Sequence, residues 1–74
     1  MESKYWVIAG AFGKRELAEV VEDALVQQNY SPTVIERNGL FMIAVDVPAG
    51  SGNSEYRSQF INRTGIEDAW ILKK

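Results

Sequence analysis

The side chains best equipped for acid–base chemistry are carboxylates in the stretch GKRELAEVVEDALVQQN (13–29). They are Glu16, Glu19, Glu22 and Asp23. A pair of carboxylates can act as general acid and general base when their surroundings push their pKa values apart. These four lie on the polar side of a predicted amphipathic helix and are interleaved with Lys14 and Arg15. A solvated helix face is therefore the better interpretation.

Cysteine and histidine are both absent from the 74 residues. Their absence removes disulfides, thiolate metal sites, the commonest general base and the usual pH switch. The pattern Gly50-x-Gly52 lacks the third glycine and the lysine of a phosphate-binding loop, so it is better interpreted as a flexible connector. The sequence therefore predicts a non-catalytic domain without a metal ion or cofactor.

The charge balance and the length of the apolar runs argue against two further classes of protein. Eight basic and ten acidic residues give a net charge of −2, which is unlike the basic surface that nucleic acid requires. The apolar runs are too short to cross a bilayer, and the N-terminal MESKYW is not a signal peptide. We expect a single domain, 1–74 with an ordered core of about 4–73, excised from a larger protein.

Four stretches of the chain have the composition and flanking turns of strands. They are KYWVIAGAF (4–12), TVIER (33–37), LFMIAVDV (40–47) and EDAWILK (67–73). Asn38-Gly39 between the second and third is a strong signal for a two-residue hairpin. The first stretch is apolar on both of its faces, which means that two layers bury it or that its outer face binds a partner.

Two helices separate these strands. The first follows Gly13, its expected N-cap, and ends at Asn29; the second runs from about Ser54 to Arg63 and is stopped by Gly65. The apolar side of the first helix is expected to contain Leu17, Val20, Val21, Ala24, Leu25 and Gln28. The order βαββαβ predicts an α+β fold with a four-stranded antiparallel sheet, strands one and three central, and both helices on one face.

The sheet face opposite the helices, here called the open face, is predicted to be unusually apolar. Small or branched residues in each strand suit the helix-covered side, and the alternate positions then face outward. The outward positions are Trp6, Ile8, Gly10, Met42, Ala44, Asp46, Trp70 and Leu72. The aromatic residues expected in or around the main core are Tyr5, Phe12, Tyr30, Phe41, Tyr56 and Phe60. An apolar patch containing two tryptophans is typical of a binding surface.

Over about residues 5–73 the pattern resembles the SPOR (sporulation-related) domain. That family opens with an aromatic residue and Val-Gln-x-Gly-Ser-Phe, and the matching residues here are Tyr5, Val7, Ile8, Ala9, Gly10, Ala11 and Phe12, with Ala18 in the helix. QQNYSPTVIE, FMIAV and AWILK are similar to its later elements. Several positions depart from the family: Ile8 and Ala11 replace the Gln and Ser, Met42 replaces a common arginine, and Asp46-Val47-Pro48 replaces Gly-Pro-Phe.

The resemblance implies a periplasmic or cell-envelope module that binds peptidoglycan and localises an envelope or cell-division protein. SPOR domains favour glycan strands stripped of stem peptides and bind them on the open face. The residues that the resemblance places in the glycan site are Trp6, Ile8, Gly10, Ala11, Met42, Ala44, Trp70 and Leu72. Trp70 is the first candidate, since an indole can stack on the apolar C–H surface of a sugar ring.

Other interpretations of the open face stay open at this point. The gain of Ile8, Met42 and Leu72 is equally typical of a protein–protein or homodimer interface. RNA-recognition domains share the βαββαβ order, but the acidic balance argues against them. Polar groups that could replace the missing Gln and Ser are the loop AGSGNS (49–54) and the residues Lys4, Asp46, Asn53, Lys73 and Lys74, all of which are also compatible with ordinary solvated positions.

Overall fold

The computed structural model describes residues 4–74. Its strands are β1 (Tyr5–Phe12), β2 (Thr33–Arg37), β3 (Leu40–Asp46) and β4 (Trp70–Lys73), and its helices are α1 (Arg15–Gln27) and α2 (Asn53–Thr64). The strands form one antiparallel sheet in the order β2-β3-β1-β4, and both helices pack on the same face. The predicted βαββαβ architecture with β1 and β3 central is therefore confirmed.

Residues 1–3, part of the N-terminal stretch considered above, lie outside the described range. Within 4–74 neither helix combines the length and the apolar character that crossing a bilayer would need.

The turns follow from residues that tolerate left-handed backbone. Asn38 (φ 53°) and Gly39 (φ 77°) both have positive φ, as the tightest hairpin turn requires, and they place Arg37 opposite Leu40. Asn29 (φ 70°) and Gly65 (φ 76°) end the two helices as expected. Two predicted boundaries were wrong. The N-cap of α1 is Lys14 rather than Gly13, and residues 67–69 form a turn before β4 rather than its first residues.

The main core lies between the sheet and the helices. Its buried members are Val7, Ala9, Ala18, Leu25, Ile43, Val45, Val47, Phe60 and Ala69. All six aromatic residues expected in or around the core are there, and Tyr30 meets Phe60 edge-to-face with 5.2 Å between ring centroids.

The buried side of α1 is narrower than its apolar pattern. Leu25 is buried and Val21 packs against the core, but Leu17 and Val20 are 53% and 68% exposed and Ala24 is also exposed. The residue that fills the remaining buried position is Ala18, whose small side chain lets the helix approach the sheet. The prediction that Leu17, Val20 and Ala24 face the core was therefore wrong.

A β-bulge in β1 reverses the expected faces of its second half. Ile8 is opposite Ala44, but the next pair is Gly10 opposite Ile43, so β1 has one residue more than β3 at this point. After the bulge Ala11 is opposite Met42 on the open face, whereas Phe12 packs against the main core. The prediction that Gly10 faces outward was wrong for this reason.

Candidate functional site

The centre of the open face is a second, small hydrophobic core. Ile8, Met42 and Ala44 are buried there, and Ile8 has no solvent exposure at all. They are covered by the larger side chains of the same face, which are Trp6, Ile35 and Leu72. This explains why β1 is apolar on both faces. It also means that Ile8, Met42 and Ala44 hold the face together and offer little surface to a ligand.

Trp6 is one of these covering side chains, and its ring is also in contact with Lys74. The Lys74 ammonium lies 5.4 Å from the Trp6 ring centroid, and its Nζ is 2.9 Å from Asp46 Oδ1. A cation over an indole is attracted by the ring's negative face. Trp6 is therefore a packed and partly capped side chain, and less suited than Trp70 to be a stacking platform.

Trp70 is the exposed tryptophan of the open face. It begins β4 opposite Ile8 and is 39% exposed, so part of its indole is accessible to a ligand. It also stands at the edge of a groove of about 630 Å³. The predicted site residue Ala11 is exposed in the same groove.

This groove, called the β1–β4 groove below, exists because β4 pairs with only the first half of β1. Pairing runs from Tyr5 to Ile8, and beyond it the two segments diverge. One wall is Ala9–Phe12 of β1, and the other is the turn Gly65–Asp68 with Trp70. The volume is within the range of small-molecule sites, and the groove is open to solvent along its length.

The turn that forms the second wall is fixed by hydrogen bonds. The Thr64 hydroxyl donates to the Phe60 carbonyl (2.7 Å) and accepts from the Ile66 N–H (3.2 Å). Arg57 Nε donates to the Ala69 carbonyl at 2.7 Å, which ties the turn to α2. A wall held in this way is largely pre-formed, so a ligand would lose less free energy in ordering it.

The groove has an acidic wall. Glu67 and Asp68 line it, and no lysine or arginine is among the residues of 4–74 that do so. Carboxylates disfavour anionic ligands and accept hydrogen bonds from hydroxyl, amide and ammonium groups. The acidic wall therefore suits a neutral or cationic part of a ligand with one apolar face, and any carboxylate of the same ligand would have to lie away from Glu67 and Asp68.

Gly10 has a packing role that the sequence did not reveal. A Cβ at this position would lie 2.9 Å from Cζ of the Phe12 ring, on the helix-covered side of the sheet. The glycine therefore makes room for Phe12 in the main core. Its backbone still contributes to the wall of the β1–β4 groove.

The other polar candidates do not gather at the groove. Asp46 and Lys74 pair with each other beside Trp6. Lys4 and Lys73 are at the same end of β1, which is the end away from the groove. Asn53 begins α2, and residues 50–52 line a separate small cavity together with Tyr56 and Gln59. Among residues 4–74 no three Cys, His, Asp or Glu side chains are grouped as metal ligands would be.

Two parts of the face were missed from the sequence. Ile35 covers the small core from β2, and counting back from the Asn38-Gly39 turn would have placed it opposite Met42. The turn Gly65–Asp68 was interpreted as the stop of a helix and the start of a strand, and no local pattern showed that it would stand away from β1.

No protein-family model and no curated protein sequence matches this chain. A search of solved structures found the solution structure of the peptidoglycan-binding domain of the B. subtilis cell wall lytic enzyme CwlC. The two share 18% sequence identity, the alignment covers 100% of this chain and 92% of that chain, and the TM-score is 0.74. This chain is thus similar in fold to that domain over its whole length.

Proposed function

We propose that this chain is a SPOR-like, non-catalytic module that binds peptidoglycan through the glycan strand and so localises an envelope protein. The single observation that carries the proposal is the exposed Trp70 at the edge of a preformed groove on a fold similar to a peptidoglycan-binding domain. The sequence resemblance over residues 5–73 supports the same proposal.

In this proposal a sugar ring stacks on Trp70 and the chain of sugars continues along the β1–β4 groove. An indole face and the axial C–H face of a pyranose both shed water when they meet, which is favourable without any charge. Trp6 and Leu72 flank the site at the open face, and Ala11 contacts the ligand. Ile8, Met42 and Ala44 act indirectly, because they support the cover from below.

Co-sedimentation with purified peptidoglycan sacculi tests the proposal. We expect the domain to pellet with sacculi and to pellet more after an amidase has removed the stem peptides. The Trp70→Ala variant should bind about tenfold more weakly than the wild type. Val26→Ala is the matched control, since Val26 is an exposed apolar residue of α1 outside the groove. Absence of pelleting by the folded wild-type domain would refute the proposal.

A second candidate is homodimerisation through the open face. It is favoured by the exposure of Leu40, which is 42% exposed. The β2–β3 register places Leu40 on the open face, which also carries Trp70. A mass near twice that of the monomer by light scattering, reduced to the monomer mass by a Leu40→Asp substitution, would support it. A monomer mass at high protein concentration would exclude it.

A further inference from the structure

The second half of β1 has a backbone edge that faces the β1–β4 groove. In an antiparallel ladder, successive residues direct their N–H and C=O alternately to the two neighbouring strands. Lys74 N donates to Lys4 O (3.0 Å), and Val47 N donates to Tyr5 O (3.0 Å). Residue 4 therefore faces β4 and Tyr5 faces β3, and this alternation continues as far as Ile8.

The extra residue at the bulge changes which residues of β1 direct their N–H and C=O towards β3. Because Val47 hydrogen-bonds to β1, every second residue of β3 back from Val47 also faces β1. Two of these residues are Ile43 and Phe41, and their partners on β1 are Gly10 and Phe12. Ala11, between them, directs its N–H and C=O away from β3. Because β4 ends at the Ile8–Trp70 pair, these two groups meet the groove rather than a strand.

The groove thus has different hydrogen-bonding groups on its two walls. On the β1 wall is the Ala11 N–H with its carbonyl, and the opposite wall includes Glu67 and Asp68, whose carboxylates can only accept hydrogen bonds. A trans secondary amide directs its C=O and N–H in opposite directions. Such an amide lying across the groove would accept from Ala11 with its carbonyl and donate to a carboxylate with its N–H.

We propose that the β1–β4 groove selects glycans that carry acetamido groups, and that the Ala11 backbone N–H is the donor to the acetamido carbonyl. The inference rests on the proposed function and adds which substituent of the sugar is recognised. Trp70 at the edge of the groove decides in favour of an amino sugar over a peptide, because the amide is then attached to a ring that can stack. This contact needs no polar side chain at Ile8 or Ala11, because the donor belongs to the backbone.

Two β-1,4-linked oligosaccharides separate this proposal from stacking alone. Chitohexaose and cellohexaose have the same backbone, but chitohexaose has an acetamido group where cellohexaose has a hydroxyl. We expect calorimetry to show that chitohexaose binds about tenfold more tightly than cellohexaose. A gain of this size corresponds to one net hydrogen bond from the acetamido group to each wall of the groove. The Ala11 amide resonance should shift and its hydrogen exchange should slow only with chitohexaose.

Equal affinity for the two sugars, or an Ala11 amide that does not respond, overturns the inference. If the domain still pellets with sacculi in that case, the proposed function stands and only the acetamido selection fails. If neither sugar binds and sacculi do not pellet the domain, the proposed function itself fails. A stem-peptide mimic that shifts Ala11 while chitohexaose does not would also overturn the inference, in favour of a peptide strand.

Ala11→Pro provides a test at the residue itself. Proline removes the N–H and is tolerated at strand positions whose N–H does not enter the ladder. A folded Ala11→Pro variant should bind chitohexaose and cellohexaose equally, and retained preference for chitohexaose would contradict the proposal. Should this variant not fold, the hydrogen-exchange result on the wild-type protein decides alone, and Val26→Ala should keep the full preference.

Discussion

Gly10 is constrained by packing in the main core and also lines the β1–β4 groove. The backbone there has no positive φ, so its conformation does not require glycine. The requirement is space, since a Cβ would lie 2.9 Å from the Phe12 ring. The family resemblance placed Gly10 in the glycan site, whereas the structure gives a packing reason for the glycine.

Gly10→Ala is expected to destabilise the domain by about 1–3 kcal/mol, because the Phe12 ring must move from its place in the main core. Urea unfolding of the variant measures the change in the free energy of unfolding. A double variant with Phe12→Leu should recover part of the loss, since leucine has no ring at that point. No change in Gly10→Ala would show that Phe12 moves without cost.

Several residues of the open face could be predicted from sequence, and the reasons differ. Trp70 and Leu72 were placed on the open face by simple alternation in a strand without irregularities. Ala11 reached that face because of the bulge, which depends on the match between β1 and β3 and leaves no local pattern. The burial of Ile8 was not foreseen, because it depends on three side chains from three different strands.

Helix α1 shows the limit of hydrophobic periodicity as a guide to which side chains are buried. Its apolar residues cover more than the surface that the sheet can bury, and the pattern alone does not show which part faces inward. Ala18, between charged and apolar neighbours, marks the true line of contact because only a small residue fits where helix and sheet approach closely. Leu17 and Val20 are apolar residues of α1 that the sheet does not bury.

Two alanine substitutions on α1 test this assignment. Leu25→Ala should lower the free energy of unfolding by about 2–4 kcal/mol, because it leaves a cavity in the main core. Val20→Ala should change it by less than about 0.5 kcal/mol, since Val20 is 68% exposed. Urea titrations of both variants give the comparison, and a large effect at Val20 would mean that its stripe is covered in solution.

The stability of the folded protein should depend on alkaline pH through Tyr56. Burial raises the pKa of the Tyr56 hydroxyl above its ordinary value of 10.0, with Tyr30 and Asp46 adding to the shift and Arg63 opposing it. The unfolded chain therefore loses this proton at a lower pH than the folded protein does. Stability from this group is complete below pH 10 and is lost as the pH rises through the folded pKa.

Thermal unfolding of the wild type and of Tyr56→Phe between pH 8 and about 11 measures this contribution. The wild type should lose more stability over that interval than the variant, which has no proton to lose there. The other groups that titrate in this interval are common to both proteins, so their contributions cancel in the difference. Parallel curves would exclude Tyr56 as a source of alkaline instability.

The hydrogen bond between Lys74 N and Lys4 O places the two ends of the described chain side by side. They lie at the end of β1 away from the β1–β4 groove, and the nearest groove residue, Ala9, is about 17 Å from Lys4 along the strand. Force between a ligand in the groove and either end would load β1 lengthwise, so that its hydrogen bonds to both neighbours resist in shear together. Force between the two ends would instead peel β4 from β1 one bond at a time, which makes the fold stronger as an anchor than as a link.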